Sequence, residues 1–271
     1  MEIRQIATLA GKEFWDRIRN RWVLAVALVF TAFALVIAYF GGAQQGTVGF
    51  RSIEFTIASL VSLVIYLVPL IALVLGFDAI VGERERGSLD LLLSMPITRF
   101  ELLLGKYLGL AAALAFSTIA GFGLVAVVLS AQLDLTALFH FFGFMLSSVL
   151  LGLAFLSLAV MVSTFAADRT RASGMAIALW FFFVLVFDLL LLGGLVVTGG
   201  KYGGEIFPYL LLLNPADVFR ILNIFTLDDV RTLYGLATVF PRALAEPWLL
   251  SLVMAAWIAA PLGVAAWRFR K

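Results

Sequence analysis

Residues 55–96 read FTIASLVSLVIYLVPLIALVLGFDAIVGERERGSLDLLLSMP, an apolar run followed at once by a compact block of charge. The run Phe55–Phe77 contains no charged residue. Roughly 20 apolar residues rising 1.5 Å each match the ~30 Å hydrocarbon core of a bilayer, where only a continuous helix satisfies its own backbone hydrogen bonds. The stretch reads as a membrane span that leads into a charged loop, Glu83–Pro96, the densest charge between any two apolar runs of the chain.

Five further apolar runs of similar length flank it, and the spans are placed at Trp22–Phe40, Phe55–Phe77, Tyr107–Ser130, Leu138–Phe165, Ala172–Val197 and Trp248–Trp267. Composition agrees: 63% of residues are hydrophobic and 13% charged, where a soluble domain has roughly 25% charged. The expected fold is all-α: one polytopic membrane domain over 1–271, with 1–21 an amphipathic helix, 22–198 holding spans one to five, 199–247 short helices, and 248–267 the sixth span. A net charge of +2 gives nucleic acid no handle. With no cysteine, disulfides, thiolate metal sites and cysteine nucleophiles are excluded. The first apolar run starts only at Trp22, so a cleaved signal peptide is not expected.

Fourteen of the nineteen lysines and arginines fall before the first span, in 78–106, in 166–171 or after the sixth span, which by the positive-inside rule makes both termini and Glu83–Pro96 cytoplasmic. Ile3, Ile6, Ala7, Ala10, Phe14 and Ile18 recur at helical spacing against Arg4, Lys12, Asp16, Arg17 and Arg19, as in a helix lying along a membrane face. In 199–247, four glycines between 199 and 204 end the fifth span and Asn214-Pro215 starts a new helix. Ala216–Asn223 and Leu227–Val239 then alternate apolar and polar residues, as short helices on an outer rim. Asn214, Pro215, Phe219 and Ile224 are its candidate docking residues for an external partner, with a purely structural lid as the alternative.

Within 83–96 the charges Glu83, Arg84, Glu85 and Arg86 precede Gly87-Ser88 and the run Leu89–Leu93, which ends at Pro96. Acidic residues suit a helix start and proline a helix end, so a short helix with Leu89, Leu92 and Leu93 on one side is expected to wedge into a groove of a soluble protein. Thr98-Arg-Phe-Glu101 has capping-box spacing for the third span, and Gly105-xxx-Gly109 allows close helix packing.

At these residues the chain resembles the membrane subunits of the ABC-2 class of ATP-binding-cassette transporters. Their acidic pattern Glu-x-Glu-x-Gly-(Ser/Thr)-Leu-(Asp/Glu)-x-Leu-Leu-(Ser/Thr)-x-Pro-(Ile/Val)-(Ser/Thr)-Arg is matched by Glu83–Arg99. More narrowly, Gly11–Trp22 and Leu213–Arg220 are similar to the membrane subunits of maturation transporters for nitrous oxide reductase. The resemblance implies a contact between a cytoplasmic ATPase and Glu83, Arg84, Glu85, Arg86, Gly87, Leu89, Asp90, Leu92, Leu93 and Pro96. It implies two copies in the inner membrane, since six spans make half of a usual pore, and a periplasmic copper-handling partner. Whether a copper- or sulfur-related species crosses the membrane or only force is transmitted stays open. A generic exporter subunit for another substrate, and a structural anchor, are the alternative functions.

The chain itself is not expected to be an enzyme. A phosphate-cradling loop needs Gly-x-x-x-x-Gly-Lys-(Ser/Thr); Gly82 and Gly87 have the glycine spacing, but Ser88 follows, and Gly200-Lys201 is followed by Tyr202. ATP and Mg are therefore expected on the partner ATPase, with no cofactor on this chain. Asp188 is the one acidic residue inside a predicted span, where a charge costs ~2.5–3.5 kcal/mol on insertion scales, so it is expected either to face a pathway or a subunit interface or to be a buried, hydrogen-bonded or protonated structural aspartate. Asp168 and Arg169 form either a second ATPase contact or a topology-setting turn. His140 has no neighbouring histidine, and no metal site is expected.

Overall fold

A computed structural model describes residues 3–40, 53–130, 135–199, 206–224 and 244–270, and among them there are helices and turns but no strand. The chain begins with α1 (Ile3–Arg19), which turns by 62° into α2 (Trp22–Phe40). The joint is made by Arg21 in the left-handed conformation, φ 56°. Next come α3 (Ile53–Gly76), the short α4 (Val81–Glu85) and α5 (Ser88–Leu93), then α6 (Arg99–Leu129) and α7 (Leu135–Phe165). A broken helix follows: α8 (Arg169–Phe181), a wide π turn at Phe182–Val186 and α9 (Phe187–Val197). Finally α10 (Phe207–Leu211) and α11 (Pro215–Ile224) lead to α12 (Pro247–Arg270).

Five helices are long and apolar enough to cross a membrane, and α2, continuing the bent α1, makes a sixth, so the chain is a multi-pass membrane protein. The third span begins eight residues earlier than its apolar run, because Thr98 and Glu101 close a reciprocal capping box that starts the helix at Arg99. The segment 83–96, read as one helix, is two: Gly87 at φ +70° separates α4 from α5, a backbone state glycine adopts without steric cost. The expected helix at Leu227–Val239 lies outside the described residues.

α7 is the axis of the bundle and packs against α3, α12, α6 and α11. Its core runs through Phe141, Phe144, Phe155 and Ala159, all buried, with Phe144 stacked edge-on against Phe122 of α6 at 5.2 Å. α1 does not rest on lipid alone. Gly105 and Gly109 of α6 admit its backbone so closely that a β-carbon at 109 would lie 2.6 Å from the Ala10 carbonyl oxygen. The predicted close-packing pair thus faces α1, burying Ile6 and Glu13 and leaving Ile3 and Trp15 exposed. α1, the 78–99 segment, the 166–169 turn and the last turn of α12 meet at one end of the bundle; there Arg99 donates to the Phe269 carbonyl at 3.2 Å.

Candidate functional site

At that end the sequence puts alternating charge on a five-residue helix, and the fold sends each charge to a different neighbour. Lys106 of α6 is buried, with Nζ 2.8 Å from Glu13 of α1 and 2.9 Å from Glu83 of α4. Ser88, at the start of α5, also donates to Glu83. On the opposite side Glu85 accepts from the backbone N–H of Arg169 at 2.7 Å, and the Arg169 guanidinium lies 2.6 Å from Asp78. Arg84 donates to the Ala166 carbonyl at 3.0 Å, while the Ser163 hydroxyl accepts from the N–H groups of Ile80 and Val81. α4 is thereby fastened to α1 and α6 on one side and to the α7–α8 turn on the other. Asp168 caps α8, accepting from the Arg171 N–H at 2.8 Å.

This placement changes what each predicted residue can touch. Glu83 is partly buried against Lys106, and Arg84 and Glu85 are bonded to the α7–α8 turn while staying exposed; the leucine face of α5 turns inward, with Leu89 buried and Leu92 and Leu93 packed on the core. A soluble protein approaching from outside meets Asp90, Leu91, Met95 and Pro96, with Arg86 and Gly87 beside them. Leu91 is 68% exposed and Met95 47%. Between α1 and α4 lies a polar cavity of about 360 Å³ bordered by Lys12, Glu13, Asp78, Arg86, Lys106 and Arg169.

The middle of the fifth span holds a second network. Arg220 of α11 reaches Asp217 at 2.5 Å and Asp188 at 3.1 Å. Asn214 donates to Asp217 at 2.8 Å and to the Phe183 carbonyl at 2.9 Å, a carbonyl within the π turn. A widened turn weakens the ladder of helical bonds, and here a side chain from another element takes up one of its acceptors. The expectation of a rim helix offering Phe219 and Ile224 to a partner is overturned. Both are buried, as are Asn214 and Pro215, because α11 inserts between α3, α7, α12 and the π turn, with Phe219 6.2 Å from the Phe144 ring. Asp188 has a charged partner after all, supplied by a segment without a spanning helix of its own.

Lys106, Glu13, Asp217 and Arg220 were not singled out from the sequence. Gly105-xxx-Gly109 marked the face on which Lys106 sits, but not the helix that fills it. Asp217 and Arg220 stand three apart at the start of α11, and that spacing was the available signal for the second network. Among the described residues no three histidine, cysteine or acidic side chains come together as a metal site, and His140 borders a small cavity with Ser147, Asn223 and Ser251.

The model of a family described as ABC-2 family transporter protein matches residues 7–271. The chain is 45% identical over 270 residues to the probable ABC transporter permease protein NosY of Pseudomonas aeruginosa, covering 97% of each chain. It is 43% identical over 273 residues to the probable ABC transporter permease protein NosY of Stutzerimonas stutzeri, covering 99% of each.

Proposed function

Because the chain belongs to the ABC-2 family of ABC transporters as a permease subunit, we propose that it couples ATP hydrolysis by a separate cytoplasmic ATPase to work across the inner membrane, through α4 and α5. The observation that carries this reading is the contrast within 83–96. The charges of α4 bond it to α6 and to the α7–α8 turn, whereas Asp90 and Leu91 on α5 and Met95 and Pro96 just after it are left outward on a firmly backed segment. A push on α5 therefore reaches α1, α6 and the α7–α8 turn together. The charge bias of the loops supports a cytoplasmic location for this end and for both termini.

For the work done, our reading is assembly of the copper centres of nitrous oxide reductase by two copies of this subunit with a periplasmic copper-handling partner, supported by the resemblance of Gly11–Trp22 and Leu213–Arg220 to maturation-transporter subunits. Within a single copy the buried hydroxyls of Ser117, Thr118 and Ser148 bond to carbonyls of their own helices and line no polar conduit, which favours force transmission over passage through one subunit.

The test uses the absence of native cysteine. A single cysteine at Leu91 is expected to cross-link to the ATPase in membranes, and Leu91→Asp with Met95→Asp is expected to lower ATPase recovery at least tenfold while the permease still inserts. Unchanged recovery in the double variant, together with no cross-link from position 91, would remove α5 as the contact.

A further inference from the structure

The network on α11 holds two carboxylates and one guanidinium, and its members differ sharply in their access to solvent. Asp217 is 1% exposed, whereas the side chains of Arg220 and Asp188 are 34% and 37% exposed. Among the described residues these three are the only charged groups in the contact: α3, α7 and α12 pack around α11 with apolar residues, joined by Ser147, which exchanges hydrogen bonds with Asn223. With both acids ionised the group carries one negative charge more than Arg220 cancels, and Asp217 meets no water that would screen it. Isolated charge in an apolar interior is costly enough that such a group takes up a proton instead. α10 and α11 are too short to span the bilayer, so the group is reached past Arg220 and Asp188 rather than through the core.

We propose that Asp217, Arg220 and Asp188 form a proton-binding site, in which one proton taken up by Asp217 makes the network electrically neutral and seats α11 against the π turn of the fifth span. Protonated Asp217 keeps both its neighbours: it can donate to an Asp188 oxygen and still accept from Asn214, while Arg220 pairs with Asp188 alone. No covalent step is involved, and the proton enters and leaves past Arg220 and Asp188, the two members open to the outside of the bundle.

Burial pushes the Asp217 carboxyl up to about 7, opposed by Arg220 and reinforced by Asp188. The folded chain thus holds this proton to a higher pH than the unfolded chain, so the stability it contributes is present below the ordinary carboxylate range and is lost as pH rises to about 7.

The experiment follows the C=O stretch of protonated carboxylic acid in infrared difference spectra of the full-length chain in lipid nanodiscs, titrated from below to above neutral pH. One acid is expected to titrate near neutrality. Asp217→Asn should abolish the band, and Asp188→Asn, which leaves one carboxylate to one guanidinium, should weaken proton binding at least tenfold. Should Asp217→Asn fail to fold, the half-exposed Asp188→Asn variant carries the test, and the melting temperature, expected to fall with rising pH in the wild type, should lose most of that slope. A neutral-range acid band unchanged in both variants, or no such band in the wild type, overturns the proposal. The readout involves no ATPase, so its failure leaves the coupling role of α5 untouched.

Discussion

Two ionic knots hold this bundle, one at each end of its buried polar groups, and both set two carboxylates around one cation. In Glu13–Lys106–Glu83 the cation is the buried member, 5% exposed, and its carboxylates, 12% and 17% exposed, open onto the polar cavity beside α1. In Asp217–Arg220–Asp188 the burial is inverted: a carboxylate, Asp217, is the buried member, and the cation that bridges it to Asp188 is a third exposed. A buried cation is compensated only by ionised carboxylates, and their surplus negative charge is dispersed in a cavity that also holds Lys12 and Arg86. A buried carboxylate has no such outlet and turns to a proton. Identical charge counts therefore serve two ends: a permanent clamp between α1, α4 and α6, and a titratable latch between α11 and the fifth span.

The inversion can be broken at either cation. Lys106→Met is expected to have the largest effect, about 3–5 kcal/mol of destabilisation, since it leaves two poorly solvated carboxylates without their counter-charge. Limited proteolysis should then release α1 faster than in the wild type. Arg220→Met is expected to cost less, about 1–2 kcal/mol after allowance for an arginine that is a third exposed, and to raise the proton affinity of Asp217. A thermal melt of the purified chain reads both. The smallest effect belongs to Asp188→Asn, under about 1 kcal/mol at neutral pH, because Arg220 keeps Asp217 as its partner and one carboxylate then stands to one guanidinium. Equal losses for Lys106→Met and Asp188→Asn would refute the assignment of one clamp and one latch.

The same contrast explains what could be read from the sequence. The spans were legible because lipid imposes a long apolar run, and the start of α6 because a capping box is local. The amphipathic character of α1 is legible in its periodicity, yet its Ile6 and Ala10 are taken up by α6, and periodicity does not say whether an apolar stripe faces lipid or protein. In α11 the pattern again gave the helix and missed its surroundings, so Phe219 was expected on a rim and lies in the core. Asp188 was recognised as costly, but its partner Arg220 is 32 residues away across a segment that turns back on the bundle. Glu83 and Glu85 were expected to face an ATPase; the groups that hold them, the Lys106 ammonium and the Arg169 backbone N–H, come from helices that only the fold brings together. For that reason a charge reversal at Glu83 would report on the clamp, whereas Leu91 reports on the outer face of α5.

The π turn at Phe182–Val186 gives the fifth span an adjustable phase. A wide turn is an α-helix carrying one surplus residue, and in a helix with 3.6 residues per turn each residue is worth about 100° of rotation. Were 182–186 to tighten into a regular helix with every residue kept, everything after it, Asp188 included, would swing by about a quarter turn relative to α8. The side on which the membrane-embedded acid is presented is thus set by a register offset in the backbone, held open by a single amide from Asn214.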